Sequence, residues 1–162
     1  MISKKQIILG VDPGLADTGF GIITKQGQSL TMVECGSVQT KAQTKFIDRL
    51  NTINIELKKI IENYKPDIVA VEQLFFCKNA KTALLVGQAR GVCLMTIAEA
   101  KLPFVEFTPL QVKQALTGYG KADKNQVGQM VKFFLNLKSV PKPDDATDAL
   151  AVAITCANTK RF

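Results

Sequence analysis

The sequence predicts an α/β fold in which a mixed central β-sheet is flanked by helices. Two short apolar runs, residues 7–12 and 68–72, each end in an acidic residue and are typical of strands buried on both faces. Between these runs, in residues 44–64, apolar side chains recur every three or four positions, which is the period of an amphipathic helix. Strands and helices of these kinds that follow one another along the chain indicate an α/β arrangement.

The first three strands are predicted to form an antiparallel ribbon. The run at residues 7–12 ends at a Pro13-Gly14 break, and two further strand-like stretches follow at residues 20–24 and 30–38. The apolar run at residues 68–72 repeats the pattern of the first strand. We therefore expect this fourth strand to be parallel to the first and central in the sheet.

Helices are predicted for most of the remaining chain. The amphipathic segment at residues 44–64 ends before Pro66, and a second helix at about residues 80–100 carries apolar side chains around nearly its whole circumference. Such a helix is either enclosed in the core or shared with a second subunit. The elements expected after it are a strand at residues 104–107, a helix that begins at Thr108-Pro109 and ends at Gly118, and helices at residues 123–135 and 146–158.

The composition limits the function classes. A length of 162 residues favours one domain over residues 1–162. Because the chain contains no histidine, Ser-His and Cys-His catalytic pairs and imidazole metal ligands are excluded. Twenty-one Lys and Arg against fourteen Asp and Glu give a net charge of +7, which favours a polyanionic partner such as a nucleic acid.

The cysteines and the N-terminus predict a cytoplasmic protein. The four cysteines lie far apart with no C-x-x-C pair, so neither a zinc ribbon nor a thioredoxin-like motif is available. They are interpreted as small buried apolar residues in a reducing compartment. The N-terminal apolar run is too short and too charged for a signal peptide or a membrane span.

Four carboxylates are candidate metal ligands. Asp12 and Glu72 end the two buried strands expected to be parallel, at the edge where open α/β sheets place their ligand sites. Asp145 and Asp148 are three residues apart at the start of a helix, so they share one face of it, and the apolar residues after them imply that this helix packs on the sheet. Four such oxygen donors without histidine suit Mg²⁺ or Mn²⁺. Two such ions about 3.5–4 Å apart can activate water and stabilise the departing oxygen in phosphodiester cleavage.

Each of these acids also has an ordinary structural interpretation. Asp145 at the start of a helix could be a cap or a partner of the helix dipole. Asp144 could equally be the cap or the ligand, because it lies four residues before Asp148. Glu72 could face solvent at the end of its strand, and Asp12 could belong to an Asp-Pro-Gly turn. The combination favours a metal site far more than any one acid does.

Five motifs follow one another in a single order over nearly the whole chain. They are Val11-Asp12-Pro13-Gly14, Thr18-Gly19-Phe20-Gly21, Val71-Glu72-Gln73-Leu74-Phe75, Asn79 with Gly87-Gln88-Ala89-Arg90-Gly91, and Asp144-Asp145-Ala146-Thr147-Asp148-Ala149-Leu150-Ala151. Each motif alone is weak, but the set resembles the RuvC family of Holliday-junction resolvases, the crossover junction endodeoxyribonucleases. The resemblance implies an RNase H-like fold, a homodimer and magnesium-dependent cleavage of four-way DNA junctions by paired nicks in recombination and repair.

The same resemblance implies roles for individual residues and partners. Asp12, Glu72, Asp145 and Asp148 match the catalytic, metal-binding acids of the family, and Mn²⁺ is expected to substitute for Mg²⁺. Phe75 stands where the family inserts an aromatic ring at the junction, whereas Phe76 would point to the opposite face of a continued strand. Lys113 and Lys124 match positions that approach DNA phosphates. Cooperation with the RuvA-RuvB branch-migration complex is also implied.

Two other function classes use similar features. A nucleic-acid-binding module without cleavage would keep the basic surface but would not need the four acids. An actin-like nucleotide-binding domain is suggested by Asp-x-Gly followed by Thr-Gly-x-Gly, but such proteins bind the nucleotide between two domains, for which 162 residues leave no room. The sequence therefore favours the endonuclease.

Overall fold

The computed structural model describes residues 4–73 and 79–159, and it confirms the α/β prediction. In these ranges five strands form one sheet in the order β3-β2-β1-β4-β5. The strands are β1 (Gln6–Asp12), β2 (Asp17–Gln26), β3 (Ser29–Gln39), β4 (Ile68–Glu72) and β5 (Phe104–Phe107). β1, β2 and β3 are antiparallel neighbours, whereas β4 is parallel to both β1 and β5. The expected ribbon and the central parallel strand are both present.

The helices also follow the sequence prediction, with small differences at their ends. They are α1 (Phe46–Tyr64), α2 (Ala80–Glu99), α3 (Pro109–Thr117), α4 (Lys124–Phe134) and α5 (Asp144–Asn158). The largest differences are at α1, which begins two residues later than expected, and α5, which begins two residues earlier. The early start of α5 has a local cause, because Pro143 at its N-cap holds φ near the helical value and the helix can begin directly after it. Asp144 and Asp145 therefore lie in its first turn.

The sheet separates two hydrophobic cores. Successive residues of a strand point to opposite faces, so Ile8 of β1 packs beneath α5 while Leu9 packs beneath α1 and α2. Leu150 and Ile154 of α5 are completely buried in the first core. Each such side chain stabilises the fold by about 1.5–3 kcal/mol relative to an exposed one.

Two glycines bring α5 into direct contact with the sheet. A Cβ atom at Gly10 of β1 would overlap the carbonyl oxygen of Ala149, and a Cβ atom at Gly19 of β2 would overlap the carbonyl oxygen of Asp145. Only glycine allows the helix backbone to lie this close to the strands. This packing holds the first turn of α5 above the end of β1.

One side of α2 is buried and the other is exposed. Ala89, Cys93 and Ile97 pack against the sheet and α1, whereas 64% of Leu84 and 60% of Met95 are exposed to solvent. The core therefore encloses one side of this helix, and the other side presents apolar residues to solvent.

Two of the three described cysteines confirm the prediction of buried apolar residues, and Cys35, on the edge strand β3, is the exception. Cys93 and Cys156 are buried and Cys35 is half-buried, and none of the three forms a disulfide. Cys77 lies outside the described residues. Among the helices of residues 4–73 and 79–159, none is long and apolar enough to cross a membrane.

Candidate active site

Three aspartates meet where β1 ends beneath α5. Asp12 is the last residue of β1, and Asp145 and Asp148 lie one turn apart near the start of α5. Each offers a carboxylate oxygen, and these oxygens all lie within 4.8 Å of one another. The close contact between α5 and the sheet at Gly10 and Gly19 accounts for this convergence.

Glu72 joins the same site from the neighbouring strand. It ends β4, which is parallel to β1 with Val71 in register with Val11, so Glu72 and Asp12 leave the sheet side by side. Glu72 lies outside the group of three aspartates, but it lines the same cavity of about 370 Å³. We call this space the carboxylate cavity; the polar residues that line it are Asp12, Glu72, Lys113, Lys124, Asp145 and Asp148.

Burial and mutual repulsion make the carboxylates hard to ionise together. Burial, followed by the charges of Glu72, Asp148 and Asp145, raises the pKa of Asp12 to about 8. Burial and the charge of Asp148 raise the pKa of Glu72 to about 7, and burial also raises the pKa of Asp145. When these carboxylates are all ionised, a nearby cation is therefore needed to balance their negative charge.

Two lysines supply part of that compensation. Lys124 is the first residue of α4, and its Nζ atom lies 3.3 Å from Oδ2 of Asp148. The charge of Asp148 raises the pKa of Lys124, so its ammonium form is favoured. Lys113 of α3 lines the carboxylate cavity, and its charge, like that of Lys124, acts to lower the pKa of Glu72. Both lysines singled out in the sequence therefore lie beside the acids.

The structure separates Asp144 from the group of aspartates. Its Oδ1 atom accepts a hydrogen bond from Nζ of Lys142 at 2.6 Å, and its side chain is 66% exposed. Neither Asp144 nor Asp145 caps α5 through its side chain, because the N-cap is Pro143 and no side-chain cap bond is present. The geometry thus favours Asp145 over Asp144 as a metal ligand, and it removes the capping interpretation of both.

Sequence reasoning missed three charged residues near the site. Arg90 forms an ion pair with Glu106 of β5, and Arg90 lines a small cavity together with Asp12 and Glu72. The charge of Asp17 raises the pKa of Asp145. Arg90 belongs to one of the five motifs, but no spacing in the sequence links it to Glu106, since the pair forms only when α2 packs beside β5.

The predicted aromatic residue cannot be placed in this site. Phe75 and Phe76 both lie outside the described residues, so their assigned roles remain predictions from the sequence.

The donor set fits a hard divalent cation. Carboxylate oxygens from Asp12, Asp145 and Asp148 lie close enough to share one ion, and Glu72 lines the same cavity. Oxygen ligands of this kind suit Mg²⁺ and Mn²⁺ rather than softer metals.

Known proteins match this chain over nearly its whole length. The family model described as crossover junction endodeoxyribonuclease RuvC matches residues 8–156. The crossover junction endodeoxyribonuclease RuvC of Halothermothrix orenii is 52% identical over 156 residues, which cover 96% of this chain and 94% of that protein. The solved structure of Thermus thermophilus RuvC is 35% identical with a TM-score of 0.87, and the match covers 94% of this chain and 93% of that one.

A second Thermus thermophilus structure, RuvC in complex with Holliday junction substrate, has the same identity and TM-score and covers 93% of this chain and 92% of that one. The mixed sheet, the flanking helices and the acidic cluster thus occur in a chain that matches RuvC proteins over nearly its whole length. This chain belongs to the RuvC family of crossover junction endodeoxyribonucleases.

Proposed function

We propose that this protein is a Holliday-junction resolvase, a structure-selective endonuclease that nicks two opposing strands of a four-way DNA junction in recombination and repair. The convergence of Asp12, Asp145 and Asp148, with Glu72 beside them, carries the proposal. The net charge of +7 suits a DNA substrate, and the Thermus thermophilus relative has been solved with a Holliday junction. We propose that residues 1–162 act as one nuclease domain.

We infer that Asp12, Glu72, Asp145 and Asp148 hold Mg²⁺, with two ions in each site and Mn²⁺ as a substitute. When bound, these ions would make water a stronger nucleophile and stabilise the negative charge on the departing oxygen. The four acids hold and orient this centre. Because the chain has no histidine, no imidazole takes part as acid or base.

The lysines of the carboxylate cavity are assigned to the DNA. Lys113 and Lys124 each present an ammonium group at the cavity, where the scissile phosphate must enter to reach the acids. Their charge offsets the repulsion between the phosphate and the carboxylates, and it adds a salt-dependent part to binding. Phe75 is proposed to stack on unpaired bases at the crossover, which is consistent with the family but lies outside the described residues.

We further propose that the enzyme is a homodimer. Cutting opposing strands of a two-fold symmetric junction requires two sites, and one chain supplies one acidic cluster among its described residues. An apolar groove of about 470 Å³ between α1 and α2 offers a surface for the second copy, with Ile47, Leu50, Val92 and Met95 among its lining residues. Exposed Leu84 lies on the same helix as Met95.

The cellular setting is inferred from the family alone. We propose that the enzyme acts in the cytoplasm and cooperates with the RuvA-RuvB branch-migration complex.

The test is incubation of the protein with a labelled synthetic four-way junction, beside a linear duplex of the same sequence, in Mg²⁺. The expected result is a pair of symmetric nicks in the junction and no cutting of the duplex. Asp148→Asn serves as the matched variant that binds but does not cut. Binding of the junction without cutting by the unchanged protein would support a non-cleaving module instead, and a protein that ignores junctions would contradict the proposal.

A further inference from the structure

A second cleft adjoins the carboxylate cavity on the side of α4. It has a volume of about 260 Å³, and its polar lining consists of Lys124, Asn125, Lys142, Asp144, Thr147 and Asp148. We call it the lysine cleft. Because Lys124 and Asp148 line both spaces, the lysine cleft is a direct continuation of the site where the scissile phosphate is proposed to lie.

Charges of opposite sign are paired throughout this cleft. Nζ of Lys124 lies 3.3 Å from Asp148, and Nζ of Lys142 lies 2.6 Å from Asp144. A metal ion bound to Asp148 would compete with Lys124 for that carboxylate. Asp144 stands apart from the three clustered aspartates, so the only described partner of its carboxylate is Lys142.

The segment that carries Lys142 is held against α5. Pro141 and Pro143 flank Lys142 and restrict its backbone. The hydroxyl of Thr147 donates to the carbonyl oxygen of Pro141 at 2.7 Å, and the amide of Ala146 donates to that of Pro143 at 3.0 Å. Lys142 therefore begins from a fixed backbone position, while 76% of its side chain remains accessible.

From this arrangement we propose that Lys142 is a further DNA-binding residue, which binds a phosphate of the cleaved strand next to the scissile phosphate, and that Asp144 competes with this phosphate for the same ammonium group. The proposal rests on the proposed junction cleavage. A strand whose scissile phosphate lies at the carboxylates has neighbouring phosphates on both sides of it. Of these two spaces, Lys113 lines the carboxylate cavity and Lys142 lines the lysine cleft, so the two lysines suit different phosphates.

The two members of the pair should change DNA binding in opposite directions. Lys142→Gln removes one phosphate contact, so junction affinity should fall about fivefold at low salt, and the slope of log affinity against log salt should decrease by about 0.9 for each protomer that makes the contact. Asp144→Asn removes the competitor and one negative charge, so affinity should rise. Lys142→Arg should retain most of the binding because it keeps the charge.

Fluorescence anisotropy with a labelled junction measures these changes, with every variant built on Asp12→Asn to prevent cutting. Lys59→Gln is the matched control, because Lys59 is also an exposed lysine paired with an acid, Glu56 at 2.7 Å. It lies in the C-terminal half of α1, which leads to the start of β4, whereas the acids lie where β1 and β4 end. Equal effects of Lys142→Gln and Lys59→Gln would overturn the proposal. If Asp12→Asn alone failed to bind junctions, the proposed function would fail instead.

Neutral phosphates identify the contact itself. Junctions that carry one methylphosphonate at successive positions around the cleavage site remove one phosphate charge at a time. At one position beside the scissile phosphate, the affinity difference between the Asp12→Asn protein and its Lys142→Gln derivative should disappear. If the difference persists at every position, Lys142 acts only through the general charge of the surface and the proposal is wrong.

Discussion

The ammonium group of Lys124 lies 3.3 Å from Oδ2 of Asp148, so one ion pair links the proposed metal ligands to the proposed phosphate contacts. Without a metal ion, Lys124 partly neutralises the acidic cluster, as the raised pKa of Lys124 reflects. A divalent cation that takes over Asp148 would release this lysine toward DNA. Metal binding and DNA binding are therefore expected to depend on the same side chain.

Lys124→Gln should separate these two roles. The variant lacks the ammonium group that competes with a metal ion for Asp148. It should therefore bind Mn²⁺ several-fold more tightly in the absence of DNA. Junction affinity should decrease, with the salt slope smaller by about 0.9 per protomer. Isothermal titration calorimetry with Mn²⁺ and anisotropy with a labelled junction measure the two effects. Weaker Mn²⁺ binding by this variant would show that Lys124 supports the metal site instead of competing with it.

Amide substitutions should remove cutting but keep binding. Asp12→Asn, Glu72→Gln, Asp145→Asn and Asp148→Asn preserve the shape of each side chain and lose the charge that holds Mg²⁺, so cleavage should fall by about 100-fold or more. Asp144→Asn is the control, because this neighbouring acid pairs with Lys142 outside the cluster. At saturating protein, where its higher junction affinity has no effect, its cutting rate should change little. Single-turnover cleavage of a labelled junction gives the rates. A large loss of cutting in Asp144→Asn together with a small loss in Asp145→Asn would instead identify Asp144 as the metal ligand.

The stability of the metal-free protein should decrease from pH 5 to pH 8.5. The pKa of Asp12 rises from an ordinary value of 3.8 to about 8 and that of Glu72 from 4.5 to about 7, so in this range the folded protein holds protons that the unfolded chain has lost. These protons stabilise the folded protein fully when the pH is below the pKa values that Asp12 and Glu72 have in the unfolded chain. The stabilisation is lost as the pH rises through the pKa values that they have in the folded protein. Asp12→Asn needs no proton and should melt higher than the unchanged protein at pH 8.5, by about 2–4 °C for each kcal/mol relieved.

Thermal melting in EDTA at several pH values tests this prediction. The difference between the two proteins, rather than either curve alone, isolates Asp12 from the other titrating groups. Added Mg²⁺ should stabilise the unchanged protein at pH 8.5 and should have less effect on Asp12→Asn. Parallel pH curves for the two proteins would contradict a raised pKa at this position.

Gly19→Ala should displace the backbone at Asp145 and so reduce cutting. Its Cβ atom would overlap the carbonyl oxygen of Asp145, so the first turn of α5 must move away from β2. We expect a loss of about 1–3 kcal/mol of stability, as for other overpacked positions, and a large loss of cutting. Ser37→Ala, in register opposite Gly19 on β3, is the control for substitution in this part of the sheet. Melting curves and cleavage rates together decide, and a Gly19→Ala protein that cuts normally would show that α5 tolerates the shift.

The order of elements and the convergence of the acids could be predicted from the sequence, because both depend on local patterns. Asp12 and Glu72 end two buried strands, and the spacing of Asp145 and Asp148 places both on one face of α5. The packing of α5 on the sheet then brings these acids together. Sequence motifs also singled out Lys113 and Lys124. These features need no knowledge of exact distances.

Other features depend on contacts between segments that are distant in the chain. The pairing of Arg90 with Glu106 forms only when α2 lies beside β5, and the choice between Asp144 and Asp145 depends on where Lys142 reaches. The sequence also left α2 with two interpretations, because a helix with apolar residues all around it can be buried by its own chain or by another. The exposed Leu84 and Met95 could be identified only from the packed structure.

Leu84→Glu and Met95→Glu should each weaken the proposed dimer. Both side chains are mostly exposed on α2, so a glutamate there destabilises the monomer little. In a two-fold symmetric interface each protomer would contribute one such glutamate, so a single substitution buries two charges. Sedimentation velocity at micromolar concentration should show the unchanged protein as a dimer and the variants shifted toward monomer. Phe133→Glu on α4 is the control, since 73% of Phe133 is exposed on a helix that packs on the other face of the sheet. The monomeric variants should nick one strand of the junction at a time, because a single acidic cluster reaches a single strand, and two coordinated nicks by a monomer would contradict the dimer as the functional unit.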